Sequence, residues 1–447
     1  MYGRTERPMA IPTSTQWQRE FWRLLCALVL CCGLLDATAI YNTNTFGISV
    51  FVVASGIAGL SIVLSTAPDV RGTATLKYTH LVACILCLAI FWLIACVQLA
   101  MRVQADDKVF TQTMLRTLVI GHFIVCLTIL KLVDDREYVK SVLFWCLLIY
   151  LSYGIYDFAA QIFQYPRFLD PLRNNASFFI SRQTGTQGWI ALPRLSSLAA
   201  EPSLTAMPVA LSAYLAFQFR GPRRFLLIAL CTLFVLGTFA RSVWITMVGG
   251  TLLVVGMKVL KHWSRRSGLD PTKLALLILA ICLPPIVMAS SDFITPGPNA
   301  DTSELIRVEA SRAGIDMFLH HPLVGVGFEG WRGSAASFKG HVFGSAQIIT
   351  EIDNGFSLYL ASLGLLGIFA IYTPLFLILT QPRISVSATA WWVGIYCFSA
   401  LNTDFISLAS TWTALAVIMT LSSSGSIHEN QASPATRLLE NGRNRQT

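Results

Sequence analysis

The sequence predicts an all-α, polytopic integral membrane protein of about 12 transmembrane helices with two long outer loops. Three observations carry that prediction. Hydrophobic residues make up 54% of the 447-residue chain and charged residues only 13%, about half the charged share of an ordinary soluble domain. Apolar runs long enough for a bilayer core about 30 Å thick recur along almost the whole chain. All 11 cysteines lie inside those runs, which reads them as packing residues and not as a disulfide framework or a metal site.

Taken in order, apolar runs between charged or Pro/Gly punctuation place spans near 24–40, 48–64, 80–101, 115–132, 142–163 and 203–219, then 225–239, 243–260, 273–289, 358–380, 388–401 and 405–421. The first run is followed at once by a second, so it reads as a first span and not as a cleaved leader. The segments are residues 1–163, amino-terminal helices; 164–202, a long outer loop; 203–289, central helices; 290–357, a large outer loop; 358–421, carboxy-terminal helices; and 422–447, a polar, disordered tail.

The net charge of +9 is a question of membrane side and does not point to nucleic acid. With both termini in the cytoplasm, inner segments hold 21 of the 33 Lys and Arg, as the positive-inside rule asks. Twelve fall outside, and nine of these lie between Arg167 and Lys339, eight of them arginine. Arginine's rigid fork of donors matches phosphate, so this outer cluster points to an anionic phosphate ligand. Local pairing competes with that reading for Arg307, three residues from Glu304, and for Arg312, three from Glu309. Arg241 has no such partner: it stands between two apolar runs, and the nearest acidic residues in sequence are Glu201 and Asp270. A charge so placed at a membrane boundary is a functional candidate.

The large outer loop carries a helix signal. Asp301 stands at a cap with Glu304 at the capping-box position, apolar residues recur through Leu305, Val308, Ile315 and Phe318, and Pro322 ends the pattern before a Gly325-Val326-Gly327 turn. His320, His321 and His341 lie in the same loop, where acid–base work competes with simple solvation. Glu351 and Asp353, just before the next apolar run, can orient or deprotonate an acceptor hydroxyl or merely balance the arginines. Asp404 has no named partner. No repeat of the two halves is visible.

These motifs together resemble the O-antigen ligase and O-antigen polymerase superfamily of bacterial envelope glycosyltransferases. The clearest match runs from Arg307 through His320-His321-Pro322-Leu323 to Gly327, like the family's arginine, amphipathic helix and His-Pro-Leu-x-Gly-x-Gly turn. Asp353-Asn354-Gly355 and the following Gly364-Leu365-Leu366-Gly367 resemble the stretch where the ligases carry a His-Asn pair before a Gly-x-x-Gly helix. Arg241-Ser242 is similar to a Ser-Arg boundary motif, and the segment from Arg194 to Ser203 to an Arg-to-Pro segment ending the other outer loop.

The resemblance, over roughly residues 190–380, implies transfer of glycan from a polyprenyl-pyrophosphate-linked oligosaccharide at the outer face of the bacterial inner membrane, with no metal and no cofactor. It implies catalytic roles for Asp353, Arg241 and Arg307, and substrate-binding roles for Arg194, Arg312, Glu351, Asn354, His321 and His341. Its implied partners are the lipid-linked oligosaccharide, membrane lipids, a chain-length regulator and other polysaccharide assembly proteins. Asp353 replaces the ligases' histidine, a departure that looks more like exopolysaccharide and capsule polymerases and favours polymerase over ligase. A transporter of lipid-linked sugar is the rival of another class. Transporters place charge near mid-span and often repeat their halves.

Overall fold

The computed structural model describes residues 14–35, 39–42, 47–65, 107–169, 195, 197–199, 202–238, 240–263, 273–282, 302–327, 355–379, 384–400 and 408–422. Its helices are α1 (Ser14–Leu34), α2 (Val50–Ser65), α3 (Asp107–Val133), α4 (Arg136–Phe163), α5 (Ala206–Gln218), α6 (Pro222–Thr238) and α7 (Arg241–Trp263). There follow α8 (Lys273–Cys282), α9 (Thr302–His320), α10 (Gly355–Leu363), α11 (Leu365–Leu379), α12 (Val386–Ala400) and α13 (Ala409–Ser422).

Two of these, α4 with 28 residues and the 20-residue stretch Ser242–Lys261 of α7, are long and apolar enough to cross a bilayer. Helices α2, α3, α5, α8, α11 and α13 hold apolar stretches of 10–17 residues. The outward faces are apolar as well: Trp145 and Ile149 on α4, and Val248, Leu252 and Val255 on α7, are exposed. Water would penalise such a surface and hydrocarbon would not, so the helices have the build of a membrane protein.

One large core joins α1 to α8 and α10 to α13 and is filled by bulky side chains, among them Trp392, Trp412, Phe123, Leu143 and Leu147. Small residues let α7 and α12 touch: a Cβ on Gly394 would lie 2.7 Å from the Cα of Gly250, and Thr246 meets Ser399, Oγ1 to Oγ 3.1 Å. At one end of the bundle, Arg23 pairs with Asp135 at 2.6 Å, the Tyr138 hydroxyl donates to the Arg23 carbonyl, Arg136 donates to the Thr420 carbonyl and Tyr214 meets Ser422. The same end belongs to one side in the expected topology. Asp135 also caps α4, accepting from the Tyr138 N–H. That bond first, and the Arg23 guanidinium second, hold its carboxyl below the usual carboxylate range.

Three expectations change. The first span, expected at 24–40, is instead α1 over Ser14–Leu34, and Ile40 belongs to a two-stranded antiparallel hairpin, β1 (Ala39–Asn42) with β2 (Gly47–Ser49). The single span at 358–380 is broken into α10 and α11 at Gly364, which is left-handed at φ +61 and sends its N–H to the Leu360 carbonyl; only glycine adopts that conformation without strain. The cysteines are not all packing residues: Cys31 of α1 and Cys146 of α4 form a disulfide. The span expected at 80–101 lies outside the described residues.

Candidate functional site

The helix expected within residues 290–357 is present. α9 spans Thr302–His320 and packs on α10 around a small core of Ala310, Ala313, Met317, Val326, Leu358 and Ala361. Alanines and glycines set the spacing: a Cβ on Gly314 would sit 3.1 Å from Ser357. After α9 the chain turns through Gly325 (φ +68) and Gly327 (φ +89) and wraps the end of α10. Val326 N–H donates to the Ala361 carbonyl, Gly327 N–H to that of Ser362 and Leu365 N–H to that of Pro322, each at 2.8 Å. Gly314 of α9 meets Ser357 near the start of α10, and Pro322, just past α9, meets Leu365, just past α10, so the two helices run in the same direction. α10 in turn gives Phe356, Tyr359 and Leu363 to the large core, so it fastens the unit to the bundle.

Arg307 falls on the α9 stripe 307, 310, 314, 317, three of whose members face α10. It stands seven residues before Gly314, about 10 Å along the axis, on the side from which the chain enters α10 at Gly355. Arg312 is two residues from Gly314, about 200° around the helix, and is half-buried. His321 is exposed and lies 14 residues from Arg307, about 20 Å along the axis. It belongs to the turn, where its carbonyl accepts the Gly325 N–H at 2.9 Å. His320 is likewise exposed, with Nδ1 2.9 Å from the Asp316 carbonyl.

A second support carries the other arginine. α6 and α7 are joined by a tight link in which Ala240 N–H donates to Thr238 Oγ1 at 3.4 Å and Trp244 Nε1 donates to the Val235 carbonyl at 2.7 Å. Arg241 is the first residue of α7. Leu195, next to Arg194 in sequence, donates its N–H to the Gly237 carbonyl at 3.0 Å, and its side chain fills the space a Cβ on Gly154 or Gly237 would need, 2.8 Å away in each case. Ser197, left-handed at φ 53, donates its hydroxyl to the Tyr150 carbonyl at 2.6 Å. The segments beside Arg194 and Arg241 are thereby packed together on the half of α4 that leads to Phe163.

Arg194, Asp301, His341, Glu351, Asp353, Asn354 and Asp404 lie outside the described residues. Three features escaped the sequence reading. Asp157, fully buried in α4, accepts Arg167 Nε at 2.8 Å and Gln161 Nε2 at 3.1 Å; an acid inside an apolar run was the available signal, and it takes one outer arginine out of the ligand cluster. Buried His122 of α3 meets Ser55 Oγ through Nδ1 and Thr413 Oγ1 through Nε2, both at 2.7 Å. The Thr413 hydrogen goes to the Ala409 carbonyl, so Nε2 is the protonated nitrogen and Ser55 donates to Nδ1. Gly314 opposite Ser357 had no signal beyond its small size.

Residues 226–372, about a third of the chain, match the family model described as O-antigen ligase. The matched stretch runs from α6 into α11 and contains Arg241, the whole of α9 and α10, and the turn between their ends. No curated protein matches the chain. The resemblance to the O-antigen ligase and polymerase superfamily therefore rests on a domain-level match as well as on the motifs, and its glycan-transfer activity is supported at that level.

Proposed function

We propose, from that O-antigen ligase match over residues 226–372, that the protein is a polysaccharide polymerase. It joins repeat units carried on polyprenyl pyrophosphate at the outer face of the bacterial inner membrane. The observation that carries this reading is the coincidence of the matched stretch with both arginine supports, the start of α7 and the stripe of α9 that leads past the start of α10.

In the proposed reaction an acceptor hydroxyl oxygen bonds to the anomeric carbon of the donor glycan while the bond from that carbon to the pyrophosphate oxygen breaks. Charge builds on the departing pyrophosphate, and Arg241 and Arg307 hold it through bidentate contacts that strengthen as the bond opens. Asp353, two residues before α10, receives the hydroxyl proton. Asn354 and Glu351 position the acceptor, while Arg194, Arg312 and His341 bind the donor's charged and polar groups. His321, some 20 Å along α9 from Arg307, could meet only a distant part of the glycan.

Ligase activity on a finished glycan is the second reading, favoured by the wording of the family description. Asp353 in place of the ligases' histidine weighs the other way. The experiment is a deletion strain: a polymerase loss leaves single repeat units on the carrier and no long polymer, whereas a ligase loss accumulates long polymer on the carrier. In purified form, Asp353→Asn should lose most turnover of lipid-linked repeat. Near-normal turnover would make Asp353 structural and move the search for a base to Glu351 and His341.

A further inference from the structure

The outer end of α4 is finished by a loop whose side chains alternate between anchored and bare. Gln164, left-handed at φ 58, ends the helix, and Tyr165 N–H returns to the Ala160 carbonyl at 3.0 Å. Arg167 turns inward to the buried Asp157, and Leu169 packs on the core formed by Tyr150, Leu195 and Phe234. The Tyr156 hydroxyl donates to the Pro166 carbonyl at 2.7 Å. Between these anchors Phe163, Tyr165 and Phe168 stand 64%, 58% and 69% exposed. Phe168 lies parallel to the Tyr156 ring, 13° between planes and 6.1 Å between centroids, an offset-stacked arrangement. Phe163 and Tyr165 contact each other at 5.9 Å. Gln164 is exposed beside them.

We infer that this rim is a saccharide-binding platform: Phe168, Tyr165 and Phe163 stack on the apolar faces of sugar rings, and Gln164 hydrogen-bonds their hydroxyls. The inference deepens the proposed function and rests on it for the source of the sugar, the glycan of the lipid-linked repeat. Three observations favour a sugar over lipid as the occupant. Exposed rings also occur on the outward helix faces, Trp145, Phe225 and Phe369 among them, but here three bare rings are presented together by a loop backbone tied down at a fully buried carboxylate. An amide accompanies the rings, and amide with aromatic is the donor set that a polyhydroxylated, partly apolar ligand requires. The rim also adjoins the arginine-bearing segments. Gly154 of α4 packs against Leu195, beside Arg194, and Phe163 is nine residues further on, about 13 Å. A glycan whose pyrophosphate lies among the arginines would run outward over these rings.

The test uses the full chain in nanodiscs and, as probe, the oligosaccharide released by mild acid from the lipid-linked glycan of the deletion strain. Binding is followed by saturation-transfer NMR and calorimetry. The wild type should bind the carrier-free oligosaccharide. Phe168→Leu and Tyr165→Leu, which keep an apolar side chain but lose the ring, should each weaken binding about fivefold, and Phe168→Trp should restore it. With lipid-linked repeat, KM should rise in the leucine variants while kcat stays near wild type, unlike the kcat loss expected at Arg241. Unchanged oligosaccharide binding in both leucine variants would overturn the platform and assign the rings to the membrane interface; if polymer still formed, the polymerase reading would survive. Ring-dependent binding in a protein that forms no polymer would overturn the polymerase reading and leave the platform standing.

Discussion

The bundle and the unit formed by α9 and α10 are packed on different terms. Apart from the close approach of α7 and α12 at Gly250 and Gly394, the bundle fills its interior with volume: Trp392, Trp412, Tyr396, Phe123 and rows of leucine are among its largest buried groups. The α9–α10 unit has a core of six residues, three of them alanine, and depends on backbones brought into contact. A Cβ on Gly325 would lie 2.5 Å from the Leu363 nitrogen, and one on Gly364 2.5 Å from the Pro322 carbonyl oxygen. A core made of volume relaxes around a lost methyl group at graded cost. A core made of backbone contact has no side chain to move aside, so it fixes position sharply while burying little. That suits the place proposed here for Arg307.

The largest effects should come from the charges the unit and its neighbour carry. Arg241→Ala and Arg307→Ala should each lower polymer formation from purified lipid-linked repeat by roughly a hundredfold or more, and lysine should not rescue either, since a point charge loses the fork geometry. Arg312, on a different face of α9, should cost about tenfold or less when replaced by Ala. Full turnover in Arg241→Ala protein that is present at normal levels would remove it from the mechanism.

Next come the glycines, which break the comparison most directly. Gly325→Ala and Gly364→Ala force a side chain into the left-handed region, about 1–2 kcal/mol, and press it on backbone besides. Both should cut turnover by about tenfold or more while the bundle's thermal unfolding moves little. Gly256→Ala, on α7 where a Cβ meets nothing within 4 Å, should change neither. Equal behaviour of all three would mean that the unit does not position the chemistry.

A third change acts on the bundle alone. Thr413→Val removes the acceptor of His122 Nε2–H and leaves a buried donor unpaired, a cost of about 1–3 kcal/mol. Thermal unfolding should register it, and the KM for lipid-linked repeat should not.

These contrasts also explain what the sequence made legible. Apolar runs mark helices whatever packs on them, so most spans fall close to the described helices, and Asp301 to Pro322 announced α9 through cap, period and terminator. The break at Gly364 was hidden because apolar residues continue across it; its cause is the turn over 321–327, distant in sequence, which takes up the Leu365 N–H. The disulfide between Cys31 and Cys146, 115 residues apart, depends on tertiary approach that spacing cannot show. Of the candidate site, the arginines were legible because charge in an apolar chain is conspicuous. The Asp157 to Arg167 pair is hidden in the sequence because ten residues and the end of α4 separate the acid from the arginine, and only the loop that follows the helix brings them together.

The smallest expected effect lies at the far end of the bundle, away from both site supports. Asp135 is held below the usual carboxylate range by the Tyr138 N–H first and Arg23 second. A carboxylate depressed in the folded state stabilises it at any pH above the unfolded value of about 4. That contribution fades as pH falls through the lower, folded-state value, where both states bind the proton. Thermal unfolding of the wild type should therefore be flat in this respect from neutral pH to about 5 and drop below it, with other carboxylates adding to the drop. Asp135→Asn removes the Arg23 ion pair but keeps an oxygen for the α4 cap. The variant should start slightly less stable at neutral pH, and the gap to wild type should close on acidification. A gap that stayed constant down to pH 3 would show that the cap geometry, and not the carboxylate charge, is what Asp135 contributes.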